Sequence, residues 1–214
     1  MNERWIGSGS KNIFLLFDLF GVIARNQSES SKRCLEALGG VEPGSFWEAY
    51  WAARPAFDLG QPAASYWRAV GGAIGVTYDT AAIAALIAAD LDSWREVDDA
   101  MVAYLRELYA RGMRLGLLSN IPWLLAEQYR ARHEWLRLFS LVAFSCEIGH
   151  IKPQPEAYQW CCTMLRCDAG DIAFFDDREE NVQAAVACGL KGRVFISCEQ
   201  LKTELRGLLT PLVP

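Results

Sequence analysis

The chain has 214 residues, 52 % of them hydrophobic and 22 % charged, with a formal net charge of −5. That length suits one domain carrying an insertion or two small domains, with apolar content enough to bury a sizeable core. The acidic balance supplies no basic face and no apolar run is long enough for a bilayer, so neither nucleic acid nor a membrane is an expected partner.

The first residues, MNERWIGSGSKN, lack the apolar centre of a signal peptide, and their Gly/Ser content reads as a flexible leader over residues 1–11. Seven cysteines, odd in number and without CxxC spacing, suggest reduced packing thiols and a cytoplasmic setting. The stretch Asn12–Ala24, NIFLLFDLFGVIA, follows. Five apolar residues from Ile13 to Phe17 fit a strand buried on both faces, as in a parallel sheet. Asp18 ends that strand abruptly and Gly21 permits a tight exit. A carboxylate at the carboxyl end of such a strand points into the crevice where open α/β sheets bind ligands. Asp18 therefore reads either as a nucleophile or metal ligand, or as an Asp that caps the next element.

Residues 25–94 change character, being rich in Ala, Trp and Gly. SKRCLEALGG reads as a short helix ended by glycines, and Phe46, Trp47, Tyr50, Trp51 and Ala53 suggest a second. Pro62 opens a third, and Asp79-Thr80 a fourth over AAIAALIAADL. This predicts a helical bundle inserted after the first strand, with Trp47, Trp51 and Trp67 in its interior. Val97, Met101, Tyr104, Leu105 and Leu108 share one helical face, with Asp98 and Asp99 in the first turn of a helix reaching Arg111. Strand Arg114–Asn120 comes next, then a helix from Pro122 to about His133 and strand Leu141–Ser145. A helix from Pro155 to about Leu165, strand Ile172–Asp177, helix Glu179–Cys188 and strand Arg193–Ile196 complete the chain. Alternating strands and helices imply a Rossmann-like α/β fold: a parallel five-stranded core sheet flanked by helices, with an inserted α-helical cap. The core domain is assigned to residues 12–24 and 95–214, and the cap domain to 25–94.

Three strands thus end in polar groups: Asp18, Ser119-Asn120 and Asp176-Asp177. Lys152 follows another. In a parallel sheet all these ends lie on one edge, so groups distant in sequence can converge.

Those residues carry a resemblance. FDLFGV, LLSN, KPQPEAY and FFDDREENVQAA are similar, in order and spacing, to the four motifs of the haloacid dehalogenase superfamily, in the subclass with a helical cap after the first strand. The resemblance covers about Asn12–Leu190. It implies a hydrolase, in the first instance a Mg²⁺-dependent phosphatase acting on a small phosphorylated metabolite. Asp18 would attack phosphorus and form an aspartyl-phosphate. Asp18, Asp176 and Asp177 would hold Mg²⁺ together with the backbone carbonyl of Phe20. Ser119 and Asn120 would bind the phosphoryl oxygens, Lys152 would neutralise charge on nucleophile and phosphate, and Asn181 would orient the loop carrying the acids.

Phe20 departs from that pattern. The family's phosphatases usually place there a second Asp that protonates the leaving oxygen, a contribution of about 10²–10⁴-fold in rate. Three readings follow: a phosphatase whose substrates need little protonation, an inactive binding or regulatory protein, or a metal-independent 2-haloacid dehalogenase, which the resemblance also permits because such enzymes carry an aromatic at this position. Two adjacent acids beside Asp18 repel one another without a cation, which favours the first. In the cap, Arg54, Tyr66, Trp67 and Arg68 are candidates for substrate contact, set against core packing or solvent exposure. His133 and His150 lack an acid–base partner pattern.

Overall fold

The computed structural model describes residues 13–209, with side chains through residue 206; the leader expected over residues 1–11 lies outside the described residues. Strand β1 (Phe14–Phe17) is buried throughout and sits at the centre of a five-stranded sheet of order β3-β2-β1-β4-β5. The other strands are β2 (Arg114–Ser119), β3 (Leu141–Phe144), β4 (Ile172–Asp176) and β5 (Lys191–Val194), and every neighbouring pair is parallel. The unbroken apolar run in β1 is explained by its two faces. Leu15 and Phe17 enter one hydrophobic cluster and Phe14 and Leu16 another, as the period of two requires.

The first cluster is closed by α5 (Asp99–Ala110), α6 (Trp123–Arg132) and α10 (Cys198–Leu209), through Leu105, Leu108, Leu125, Tyr129, Leu201 and Leu205. The second is closed by α8 (Pro155–Leu165) and α9 (Glu179–Ala187), through Tyr158, Cys161 and Ala185. The result is a sheet between two helical layers, an α/β Rossmann-like arrangement.

Between β1 and β2 the chain forms α1 (Glu29–Gly39), α2 (Pro43–Asp58), α3 (Ala63–Ala73) and α4 (Thr80–Ser93). Local chemistry sets their ends. The Ser28 hydroxyl accepts from Ser31 N and the Asp79 carboxylate from Ala82 N, while Gly40 closes α1 with φ of 71°. These helices enclose a third cluster containing Phe46, Tyr50, Tyr66, Trp67 and Leu86. Helix α2 runs on through Pro55, leaving the Trp51 carbonyl without its usual amide donor.

Several boundaries differ from those read off the sequence. β5 spans Lys191–Val194 and not Arg193–Ile196. Gly192 belongs to the strand because α9 presses on it: a Cβ there would meet Val182 O at 2.8 Å. After Phe195 N donates to Asp176 O the chain leaves the sheet, and Ile196 is exposed. Helix α10 was not anticipated, although Leu201 and Leu205 carry the i, i+4 signal. Asp98 precedes α5 as its cap, accepting from Ala100 N and Met101 N, and only Asp99 lies in the first turn. Ser145 does not end β3. It opens the short α7 (Ser145–Ile148), and its hydroxyl donates to Asp58 O at 2.6 Å and accepts from Ile121 N, tying α2 to the sheet edge.

Leu105 is fully buried in the cluster beneath α5. Leu105→Ala is expected to lower unfolding free energy by about 2–5 kcal/mol. Urea denaturation measures this, and a loss below about 1 kcal/mol would contradict the packing described.

Candidate active site

Three strand ends and one loop deliver the polar residues to a single rim. The ladder runs one residue past β1, with Asp18 N donating to Phe175 O at 2.8 Å, so Asp18 sits beside the end of β4. β4 ends in Asp176, with Asp177 following. β2 ends in Ser119, with Asn120 following. Lys152 lies in the loop between α7 and α8, at a cis bond to Pro153.

The Lys152 ammonium is the common contact. Its Nζ is 2.6 Å from Asp18 Oδ1 and 2.6 Å from Asp176 Oδ2. All three side chains are buried. Asn120 holds the lysine backbone from both sides: Asn120 Nδ2 donates to Lys152 O and Lys152 N donates to Asn120 Oδ1, each at 2.8 Å. Asp176 is fixed further by Arg178 N at 2.9 Å and by Asn181 Nδ2 at 3.0 Å from both carboxylate oxygens.

Asp177 completes the acidic group. Asp18, Asp176 and Asp177 each offer an oxygen within 4.8 Å of the others. Asn26 Nδ2 donates to Asp177 Oδ2 at 3.3 Å. Gly21, at φ of 82°, clears the space, since a Cβ there would collide with the Asp177 carboxylate. Electrostatics reflect the crowding. Burial lifts the Asp18 carboxyl to about 7 against the pull of Lys152, with Asp176 and Asp177 adding to the rise. Burial also raises Asp177, partly offset by the Asn26 hydrogen bond. Burial works to lower the Lys152 ammonium, and the charges of Asp176 and Asp18 more than reverse it. Ser119 Oγ is fully buried at this edge with no hydrogen-bond partner among the described residues.

The rim opens into a crevice of about 720 Å³. That volume falls in the range of small-molecule sites. Phe20, Trp51, Arg54 and Trp94 line its side toward the inserted helices. The sequence reading placed Trp51 in the cap interior; it is 46 % exposed and faces this crevice. Trp67 and Tyr66 are core residues, and Arg68 is exposed. Arg54 is buried: Nε meets Asp58 at 2.9 Å, Nη1 donates to Tyr50 Oη at 2.7 Å, and Asp90 lies 3.7 Å away. Sequence reasoning did not single out Asn26 or Trp94. Neither sits in a recognisable motif, and both reach the site by packing across the fold.

A family model for haloacid dehalogenase-like hydrolases matches residues 15–189. A sesquiterpene phosphatase of Aspergillus oryzae is 33 % identical over 112 residues, covering 52 % of this chain and 57 % of the relative. A flavin mononucleotide hydrolase of Arabidopsis thaliana is 30 % identical over 114 residues, covering 51 % and 44 %. The matches span about half the length of these curated relatives. A haloacid dehalogenase family enzyme from Bacteroides thetaiotaomicron, crystallised with magnesium and inorganic phosphate, superposes with a TM-score of 0.71 at 17 % identity, covering 89 % of this chain and 98 % of that one. Among the described residues no helix is long and apolar enough to cross a membrane.

Replacing Lys152 by Met leaves Asp18 and Asp176 buried without their shared cation. The variant is expected to lose about 3–5 kcal/mol of stability in metal-free buffer. Equilibrium denaturation checks this, and a loss under about 1 kcal/mol would mean the lysine does not hold the rim together.

Proposed function

The chain belongs to the haloacid dehalogenase-like hydrolases, and from that premise we propose that it is a Mg²⁺-dependent phosphatase of small phosphate monoesters, with Asp18 as nucleophile. The observation that carries this reading is the charge of the rim. Three carboxyls face one ammonium, an excess of two negative charges in a largely buried cluster once all three are ionised. A divalent cation with a preference for oxygen ligands balances that excess. A dehalogenase would attack a neutral carbon and need no metal, leaving the two charges without compensation. The curated relatives support the same choice, since one is named a phosphatase and the other a hydrolase of flavin mononucleotide, itself a phosphate ester. The Bacteroides thetaiotaomicron fold neighbour binds magnesium and phosphate.

Asp18, Asp176 and Asp177, with the Phe20 carbonyl, would hold the ion. Bound there, Mg²⁺ supplies the positive charge that lets a carboxylate approach a phosphate dianion. The remaining work falls to the chain. Lys152 grips Asp18 Oδ1 at 2.6 Å and so fixes the carboxylate that would attack phosphorus. The Asp18–phosphorus bond forms as the bond from phosphorus to the ester oxygen breaks. Water then attacks phosphorus, the bond from phosphorus to the Asp18 oxygen breaks, and inorganic phosphate leaves as the carboxylate is restored. Ser119 Oγ, buried and unpartnered, is the hydroxyl free to bond a phosphoryl oxygen, and Asn120 keeps Lys152 in place for the same charge. Asn181 and Arg178 N hold Asp176, so the acids keep their spacing when the substrate binds.

The leaving oxygen receives no help from position 20. The Phe20 ring packs edge-on against Trp94 at 4.8 Å and Tyr129 at 5.7 Å, on the crevice wall.

Hydrolysis of acetyl phosphate and aryl phosphates is expected with Mg²⁺ and is expected to vanish with EDTA or in Asp18→Asn. Mg²⁺ should also raise the melting temperature of the wild-type protein. Release of halide from a 2-haloacid in EDTA, without phosphate release in Mg²⁺, would replace this reading with the dehalogenase. Phe20→Asp, if folded by circular dichroism, is expected to raise turnover of an alkyl phosphate at least tenfold, a fraction of the about 10²–10⁴-fold that general acid help supplies at full efficiency. No gain would count against the account of that position.

A further inference from the structure

The crevice wall facing the acids is aromatic and held rigid from behind. The Trp94 ring lies 4.8 Å from Phe20 and 6.3 Å from Trp51, at interplanar angles of 60° and 81°. Its Nε1 donates to Tyr50 Oη at 3.2 Å and to Asp90 Oδ1 at 3.3 Å, and its carbonyl accepts from Tyr129 Oη at 2.7 Å. The Arg54 guanidinium sits 5.5 Å from the same ring. Polar contacts on several sides thus leave Trp94 little freedom to turn. Trp51 is nearly half exposed and, unlike the buried Trp94, offers open ring surface along the crevice. A wall set in place before a ligand arrives loses little conformational freedom on binding.

A second observation concerns proton supply. Carboxyl groups that line this crevice besides Asp18 are already engaged. Asp58 is ion-paired to Arg54, Glu180 to Arg178, and Asp177 belongs to the acidic group of the rim. With Phe20 where a carboxyl would meet the ester oxygen, and Asp58 and Asp177 engaged elsewhere, a leaving oxygen that can carry its own negative charge is favoured. A phenol-type oxygen, with a pKa near that of tyrosine at about 10, tolerates this. An alkanol, close to water in acidity at about 15.7, does not.

We propose that the substrate is the phosphate monoester of a phenol, its ring received by Trp51 and Phe20 in front of the buried Trp94 while its phosphate meets Asp18. The proposal rests on the phosphatase reading above and names the leaving group for it. Trp51 selects by stacking, with Trp94 holding it from behind, and the absence of an acid at Phe20 selects by leaving-group acidity. Both favour the same class.

The test compares acetyl phosphate, phenyl phosphate and cyclohexyl phosphate in Mg²⁺, with binding of phenylphosphonate and methylphosphonate read by calorimetry. Phenyl phosphate is expected to exceed cyclohexyl phosphate in kcat/KM by about 10²-fold or more. Trp51→Ala is expected to raise the ratio of the KM for phenyl phosphate to that for acetyl phosphate about five- to tenfold, and Trp51→Phe to restore most of it. Equal use of the phenyl and cyclohexyl esters, or an unmoved KM ratio in Trp51→Ala, with acetyl phosphate still hydrolysed, would overturn the proposal and leave the phosphatase standing. Phenylphosphonate binding no tighter than methylphosphonate would overturn it at any level of turnover. If no ester is hydrolysed but phenylphosphonate binds more tightly in a way that Trp51→Ala erases, the phosphatase reading falls and the aromatic pocket stands.

Discussion

The contact between the Lys152 ammonium and the carboxylates of Asp18 and Asp176 is the constraint around which the sheet edge is built. Two acids brought out of water at adjacent strand ends repel each other and cost several kcal/mol each in lost hydration. One cation placed between them offsets much of that cost, provided it cannot drift. The structure fixes it by its backbone, through the paired hydrogen bonds to Asn120, and sets the ammonium 5.5 Å from the Phe174 ring. Asn181 and Arg178 N do the same for Asp176. The surplus charge left after this pairing is concentrated where Asp177 joins the group, and it is on this charge that the proposal of a divalent ion rests.

The inserted helices solve a related problem at a distance. Arg54, Asp58 and Asp90 are all buried, with burial raising both carboxyls against the pull of Arg54. Buried ion networks of this kind are weak sources of stability and better devices for fixing geometry. Here the geometry fixed is that of Tyr50 and Trp94, hence the aromatic side of the crevice. Three contacts couple this network to the sheet: Ser145 Oγ to Asp58 O, Tyr129 Oη to Trp94 O, and the Phe20 ring against Trp94. The polar rim and the apolar wall therefore keep a set distance from each other. An ester with a charged head and a flat apolar body matches that division.

Much of this was legible in the chain. Period-two burial and unbroken apolar runs identified β1 and β4, and the alternation of strands and helices identified the parallel sheet, because burial on both faces leaves no other pattern. Asp18, Ser119, Lys152 and Asp176 were found because each ends a strand or follows one, and the topology sends all such ends to one edge. β5 was misplaced by two residues because Gly192 looks like a breaker in sequence and is a close-packing residue under α9. Helix α10 went unread because its apolar face is narrow, with Leu201 and Leu205 supplying most of the burial.

The side-chain partnerships lay beyond the sequence. Asn26 reaches Asp177 across 151 positions, Trp94 reaches Tyr50 across 44, and Trp51 turns toward the crevice while Trp67 turns inward. None of these follows from periodicity, since each depends on which helix face meets which neighbour. Residue type and strand position determined the chemistry available at the sheet edge. Only the packing of the inserted helices decided which rings face it, because a hydrophobic contact carries no direction until a partner surface is in place.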